Sequence, residues 1–163
     1  MSEGRQRRRK LLVVVDDTPE CERAIVYAAH RAKALHASVL ALCVAQESEF
    51  QHWLGVEKLM REEAEQEAAA RMERVLGKVR DVLPGGGERR VVVGERASAI
   101  RQLIENDPDI AILMLGAAPG SDGPGPLVSA IVNGLAGSFP VPITIVPGGL
   151  SDAEIIAINQ GAR

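Results

Sequence analysis

Residues 110–132 read IAILMLGAAPGSDGPGPLVSAIV and contain the pattern that decides the fold. The continuous apolar run at residues 110–115 predicts a strand buried on both faces. Gly116 follows the strand, then a loop rich in glycine and proline, and then a helical pattern over residues 127–136. Open α/β sheets usually hold phosphorylated ligands at a loop of this kind, between a strand and the next helix.

The same alternation of apolar runs and helical patterns extends over the rest of the chain. Helical spacing predicts a helix that begins at Pro19, helices over residues 57–83 and 97–105, and a short helix over residues 151–158. Strands that alternate with helices form a doubly wound parallel sheet, so we predict an α/β fold in three layers. Its five strands are expected near residues 10–15, 38–44, 90–94, 110–116 and 142–146.

Charge is distributed unevenly along the 163 residues, whose formal net charge is −3. Residues 1–10 contain five basic residues and one acidic residue, so the rest of the chain is clearly acidic. An acidic body argues against general binding to nucleic acid. We divide the chain into a basic disordered tail at residues 1–9, one domain at residues 10–147 and a C-terminal extension at residues 148–163.

Several classes of protein are excluded by missing patterns. No apolar run approaches the ~20 residues that span a bilayer, so no membrane contact is expected. Cys21 and Cys43 form no CxxC pair, which favours a reducing cytoplasm. The sequence has no P-loop and no dinucleotide fingerprint. Its three histidines lie outside any metal-binding pattern, so no metal site is predicted.

Asp16 is the first candidate for a binding residue, because it follows the first strand, and ligands lie beyond the carboxyl ends of such strands. Its carboxylate could accept a hydrogen bond from an adenine amine or a ribose hydroxyl. Alternatively it serves only as a carboxylate at a helix N-terminus, where the helix dipole stabilises negative charge. Sequence spacing does not choose between these two interpretations.

Two segments resemble universal stress proteins. They are Leu12–Asp16 before a capped helix and Phe139–Val146 at the last strand, and the order of elements matches that family over about residues 10–147. The resemblance implies a five-stranded parallel sheet, flavodoxin-like or adenine-nucleotide-α-hydrolase-like. ATP-binding members of the family carry a G-x2-G-x9-G-[ST] motif after strand four. When the first glycine is placed on Gly116, the later positions fall on Pro119, Ser129 and Ala130.

These departures weaken the implied phosphate site. Pro119 lacks an N–H, and Ala130 lacks the hydroxyl that the motif would aim at phosphate. Gly120 and the glycines after it could form a displaced nest, or they could serve only the geometry of a turn. We predict weak binding of ATP or AMP and no required cofactor. The candidate nucleotide pocket consists of Asp16, Val44, Gly116, Pro119, Gly120, Ser129 and Ala130.

The resemblance implies a non-catalytic, cytoplasmic stress-type protein that acts as a dimeric interaction or sensing module. The alternative is an ATP-binding universal stress protein with slow hydrolysis. Family members commonly pair through the last strand, which would lie at the edge of a flavodoxin-like sheet and offer unpaired backbone groups. We therefore expect a homodimer, together with a protein partner that the sequence does not name. The expected dimer interface consists of Pro142, Ile143, Thr144, Ile145 and Val146.

Overall fold

The protein forms a five-stranded parallel sheet with helices on both faces. The computed structural model describes residues 8–16, 18–45, 55, 58–135 and 138–161. The strands are β1 Lys10–Val14, β2 Ser38–Ala45, β3 Gly87–Val93, β4 Ile110–Ala117 and β5 Ile143–Pro147. The helices are α1 Pro19–Leu35, α2 Lys58–Val82, α3 Arg96–Asn106, α4 Pro126–Ala130 and α5 Asp152–Asn159. All five strands lie where the apolar runs predicted them.

The strand order is β3-β2-β1-β4-β5, with every neighbouring pair parallel. Of the two expected arrangements, this order matches the adenine-nucleotide-α-hydrolase-like one. The flavodoxin-like order would instead place β3 beside β1. In both orders β5 lies at an edge of the sheet. The chain reverses direction across the sheet between β1 and β4, so a ligand crevice is expected above these two strands.

Two apolar layers hold the helices against the sheet. Side chains of β1 alternate between the layers, with Leu11 and Val13 on one face and Leu12 and Val14 on the other. Small residues of α1 allow that helix to approach the first face closely. The first layer also contains Ala24, Ala28 and Ala32 of α1 and Met72, Leu76 and Val79 of α2. The second layer contains Ile100, Leu103 and Ile104 of α3 and Val128 of α4.

Strand β3 is more exposed than the central strands of the sheet. It lies at an edge, and its valines Val91 and Val93 are 60% and 53% exposed. Its neighbours Arg89 and Arg90 are exposed as well. An apolar triplet in the sequence cannot distinguish an edge strand from a central one, because the pattern records residue type and not the number of neighbouring strands.

The described side chains at the two ends of helix α2 differ in burial. Leu59 near its start is 65% exposed. Met72 is the first of its described side chains that is buried. Most of the predicted basic tail lies outside the described residues.

The helix predicted over residues 127–136 is shorter and less regular than expected. Helix α4 ends at Ala130, and a π-helical turn follows over Ile131–Leu135. Val128 and Ile131 are its core contacts. The Gly/Pro-rich loop joins the end of β4 to this short helix. No described helix is both long and apolar enough to cross a membrane.

The C-terminal extension forms helix α5, which packs on α1. Ser151 and Glu154 form a reciprocal capping box at its N-terminus. Ile155 is fully buried, and Arg23 of α1 forms a salt bridge with Asp152. The short turn between β5 and α5 contains Gly148, whose N–H donates to the carbonyl of Ala117 at 2.8 Å. This turn therefore lies beside the end of β4, at the side of the sheet where ligands are expected.

Candidate functional site

A cavity of about 130 Å³ lies at the carboxyl ends of β1 and β4, where the strand order reverses. Two segments contribute six of its thirteen lining residues. The first, called the β1 flank here, consists of Asp16 and residues 18–21. The second, called the β4 loop, consists of residues 118–125. The lining residues include Asp16, Thr18, Glu20, Cys21, Arg96, Gly116, Pro124, Gly125 and Leu127.

Asp16 is engaged by its own turn. Its carboxylate accepts a hydrogen bond from the backbone N–H of Thr18 at 2.9 Å and another from the Thr18 hydroxyl. This arrangement is an Asx turn, which sets the direction of the chain as it enters α1. The Thr18 side chain makes no capping bond to the helix, which begins at Pro19. Asp16 lines the cavity. Its Oδ1 atom already accepts two hydrogen bonds from Thr18, so part of its accepting capacity is not available to a ligand.

Glu20 is the unusual residue of the β1 flank. It lies in the first turn of α1 and is only 9% exposed, although it carries a carboxylate. Its Oε1 atom lies 3.9 Å from the position that a Cβ would take on Gly125, at the N-terminus of α4. No hydrogen bond or salt bridge joins this carboxylate to another described residue. The lining of the cavity thus includes an acidic residue with little exposed surface.

Gly116 is required by packing. A Cβ on this residue would lie 2.4 Å from the backbone carbonyl oxygen of Glu20, which is far inside van der Waals contact. The first turn of α1 therefore crosses the end of β4 at a distance that only glycine permits. This close approach explains the glycine whether or not a ligand binds.

The β4 loop is open and depends on glycine for its shape. Gly120, Gly123 and Gly125 have φ angles of 108°, 91° and 103°, which L-residues rarely adopt. The backbone N–H of Ala118 donates to the carbonyl of Pro124 at 3.0 Å and closes the loop. Nothing lies within 4 Å of a Cβ placed on Gly120 or Gly123. These glycines thus have a conformational role that does not depend on a phosphate.

The structure brings only part of the predicted nucleotide pocket together. Asp16 and Gly116 both line the cavity. Val44 does not, because it is buried in the core between β2 and α3. It lies at the carboxyl end of β2, one strand away from the crevice.

The other four predicted residues do not line the cavity. Pro119 lies against the turn after β5, and its Cδ is 3.0 Å from the Cβ position of Gly148. Gly120 and Ala130 are exposed to solvent. The backbone N–H of Ser129 donates to the carbonyl of Gly125 within the first turn of α4. In this arrangement the motif positions do not converge on one phosphate position.

Arg96, the cation in the lining of the cavity, was not among the predicted site residues, because it follows β3 and not β1 or β4. Arg96 is the first residue of α3 and follows the end of β3. Its predecessor Glu95 accepts hydrogen bonds from the backbone N–H groups of Ser98 at 2.8 Å and Ala97 at 3.0 Å. Hydrogen bonding from Ser98, then from Ala97, lowers the pKa of Glu95. Glu95 therefore caps a helix.

Cys21 completes the β1 flank but does not provide a nucleophile. Burial raises the pKa of its thiol to about 12, so the thiol stays protonated at neutral pH. The Sγ atom lies 3.7 Å from the backbone carbonyl of Val14. Within the described ranges, no group of three or more His, Cys, Asp or Glu residues is arranged to hold a metal ion.

Comparison with known proteins agrees with the fold. The universal stress protein family matches residues 7–147, which is most of the chain. No curated protein sequence matches significantly. Among solved structures, universal stress protein UspA from Lactobacillus plantarum superimposes with a TM-score of 0.64 and 20% identity, over 86% of this chain and 98% of that one.

Two further similar structures contain nucleotides. A universal stress protein in complex with cAMP has a TM-score of 0.60 and 15% identity, over 86% of this chain and 97% of that one. The universal stress protein of Archaeoglobus fulgidus in complex with dAMP has a TM-score of 0.58 and 14% identity, over 85% and 97%. At such identities these structures establish a shared fold. With the family match over residues 7–147, this chain belongs to the universal stress protein family.

Proposed function

We propose that this protein is a non-catalytic, cytoplasmic member of its family that acts as a dimeric interaction or sensing module with weak or no affinity for nucleotides. One observation carries the proposal. The cavity at the ends of β1 and β4, where a nucleotide is expected on this fold, has a volume of about 130 Å³ and is lined in part by Glu20, an acidic residue that is only 9% exposed.

Size is the first argument for weak affinity. Pockets that enclose small ligands and cofactors usually have volumes of about 300–1,000 Å³. The cavity here is less than half the lower value. Enclosing a mononucleotide within this cavity alone would require the β1 flank or the β4 loop to move, and the free energy of that movement would subtract from binding.

Charge is the second argument. The lining of the cavity includes two carboxylates, Asp16 and Glu20, and one cation, Arg96. Asp122 adds a third acidic side chain on the exposed β4 loop. Phosphate groups that enter this cavity meet more negative charge than positive charge in its lining, and Coulomb repulsion weakens their binding. The lining also has no lysine, and the described residues form no metal cluster that would offset phosphate charge.

We also propose that the protein pairs with a second copy through β5. This strand pairs with β4 on one side and lies at the edge of the sheet on the other. Ile145 is 41% exposed there. Pro142 lacks a donor, so backbone pairing would concentrate on Ile143 to Val146. Burial of apolar side chains would stabilise the dimer by about 25 cal/mol per Å² before association costs.

The dimer is tested by sedimentation of the wild type and of Ile145→Pro at micromolar concentration. The wild type is expected to sediment as a dimer. The N–H of Leu113 donates to the carbonyl of Pro142. In this parallel ladder the N–H of Thr144 therefore faces β4 and the N–H of Ile145 faces the free edge. Ile145→Pro removes that edge donor and should yield monomers or aggregates. A matched control, Val91→Pro, places the same change on the opposite edge and should leave the dimer intact if the chain folds. A wild type that sediments as a monomer rules out the β5 dimer.

The second candidate function is ATP binding with slow hydrolysis. The similar structures that contain cAMP and dAMP favour it. Nucleotide that co-purifies with the protein distinguishes the two functions. The protein is purified natively and denatured, and the extract is analysed by chromatography. Our proposal predicts far less than one nucleotide per chain, whereas a nearly stoichiometric amount would contradict it.

A further inference from the structure

We infer that Glu20 is the residue that closes the nucleotide site, by filling with its own carboxylate the space that a ligand phosphate would need. This inference rests on the proposed function and names the residue responsible for the weak affinity. The ligand class is a nucleoside monophosphate, since its single phosphate would compete with a single carboxylate.

Three neighbouring segments fix the position of Glu20. Its backbone carbonyl lies against Gly116 at the end of β4, 2.4 Å from the Cβ position of that glycine. Its own Cβ lies 2.8 Å from the Cβ position of Gly148 in the turn after β5. Its carboxylate faces Gly125 before α4. Glycine at Gly116 and Gly148 leaves the room that the backbone and Cβ of Glu20 take up, so the side chain lies wedged between these segments.

The chemistry of the carboxylate matches that of the ligand it would exclude. Carboxylate and phosphate are both anions that accept hydrogen bonds, and they favour the same donors. Glu20 shares the cavity with Arg96, the one cation of the lining. A phosphate that approached Arg96 within this cavity would also be repelled by the Glu20 carboxylate, which lowers its affinity through Coulomb repulsion.

Departures from the family motif contribute less. Pro119, Ser129 and Ala130 do not line the cavity. Restoring the motif at these three positions would therefore leave both the volume and the charge of the cavity nearly unchanged. The change that opens the cavity is the removal of the Glu20 side chain.

The experiment is a calorimetric titration of AMP into four proteins: the wild type, Glu20→Ala, Glu20→Gln and Glu22→Ala. Glu22 lies in the same turn of α1, but its side chain is 47% exposed and pairs with Lys78. Glu20→Ala removes both bulk and charge and should tighten binding by about tenfold or more. Glu20→Gln removes only the charge and should give a smaller gain. Glu22→Ala should bind as the wild type does.

The AMP affinities of the Glu20 variants and of the wild type test the inference and the proposed function separately. Affinity of Glu20→Ala within twofold of the wild type would overturn it. Thermal melting checks that this variant folds, and if it does not, Glu20→Gln must tighten binding by about threefold or the inference fails. Tight binding by the wild type would refute the proposed function itself. Weak binding by the wild type and by both Glu20 variants would refute only the role of Glu20.

Discussion

The two segments that meet at the cavity are built in opposite ways. In the β1 flank, Asp16 is hydrogen-bonded within its turn, and Glu20 and Cys21 are buried. In the β4 loop, residues 120–124 are exposed, and the backbone turns at glycines with positive φ angles. The difference indicates that the β1 flank fills the site, whereas the β4 loop only borders it.

This comparison separates two causes of weak nucleotide binding. A site can lose affinity because its phosphate-binding loop has changed, or because another segment occupies the space. A changed phosphate-binding loop can be seen in the sequence, as departures from a glycine motif. The second cause becomes visible only in three dimensions, because Glu20 and Gly125 are far apart in the chain but lie side by side in the fold.

The largest effect on stability is expected from Gly116→Ala, which breaks the contact between the β1 flank and β4. The new methyl group would clash with the carbonyl of Glu20, which is backbone and cannot rotate away. We expect a loss of about 3 kcal/mol in the free energy of unfolding, measured by urea denaturation. Gly120→Ala is the control in the β4 loop, where space is open and only the positive φ angle opposes the change, and should cost about 1–2 kcal/mol. Equal losses of unfolding free energy in the two variants would contradict the tight contact that we assign to Gly116.

The next effect concerns Cys21 and pH. The folded pKa of about 12 lies above the ordinary value of the thiol, so folding favours the protonated form. Stability from this group is complete below the unfolded pKa, near 9, and is lost as pH rises toward 12. The expected loss is about 1.4 kcal/mol per pH unit between pH 9 and 11. The measurement is the difference in unfolding free energy between the wild type and Cys21→Ala, and a difference that is independent of pH would contradict the burial of Cys21.

The smallest effect is expected from Asp16→Ala, which removes the two hydrogen bonds of the Asx turn. We expect a loss of about 1 kcal/mol in unfolding free energy. Asp122→Ala makes the same change in the exposed β4 loop and should alter stability by less than about 0.5 kcal/mol. Both variants are compared by thermal melting. A larger loss of stability from Asp122→Ala than from Asp16→Ala would contradict the contrast between a hydrogen-bonded β1 flank and an exposed β4 loop.

Much of the fold followed from the sequence, because each strand contains an apolar run and most helices coincide with a 3.6-residue pattern; the irregular helix after β4 is the exception. The exposure of β3 did not follow, since Val91 and Val93 have the residue type of core positions. Asp16 and Gly116 were found because they lie at strand ends. Glu20 has the pattern of an ordinary acid in the first turn of a helix, where such residues usually face solvent and stabilise the helix dipole. Its burial depends on α4 and on the turn after β5, which no local pattern reports.

The most direct test of the central claim is a calorimetric titration of the wild-type protein with ATP, ADP and AMP, with and without Mg²⁺. The cavity volume and the buried carboxylate predict a dissociation constant above about 10 μM for each nucleotide, equivalent to less than about 7 kcal/mol of binding free energy. Addition of Mg²⁺ should not bring any of them below that value. Submicromolar binding of any of the three by the natural sequence would contradict the account.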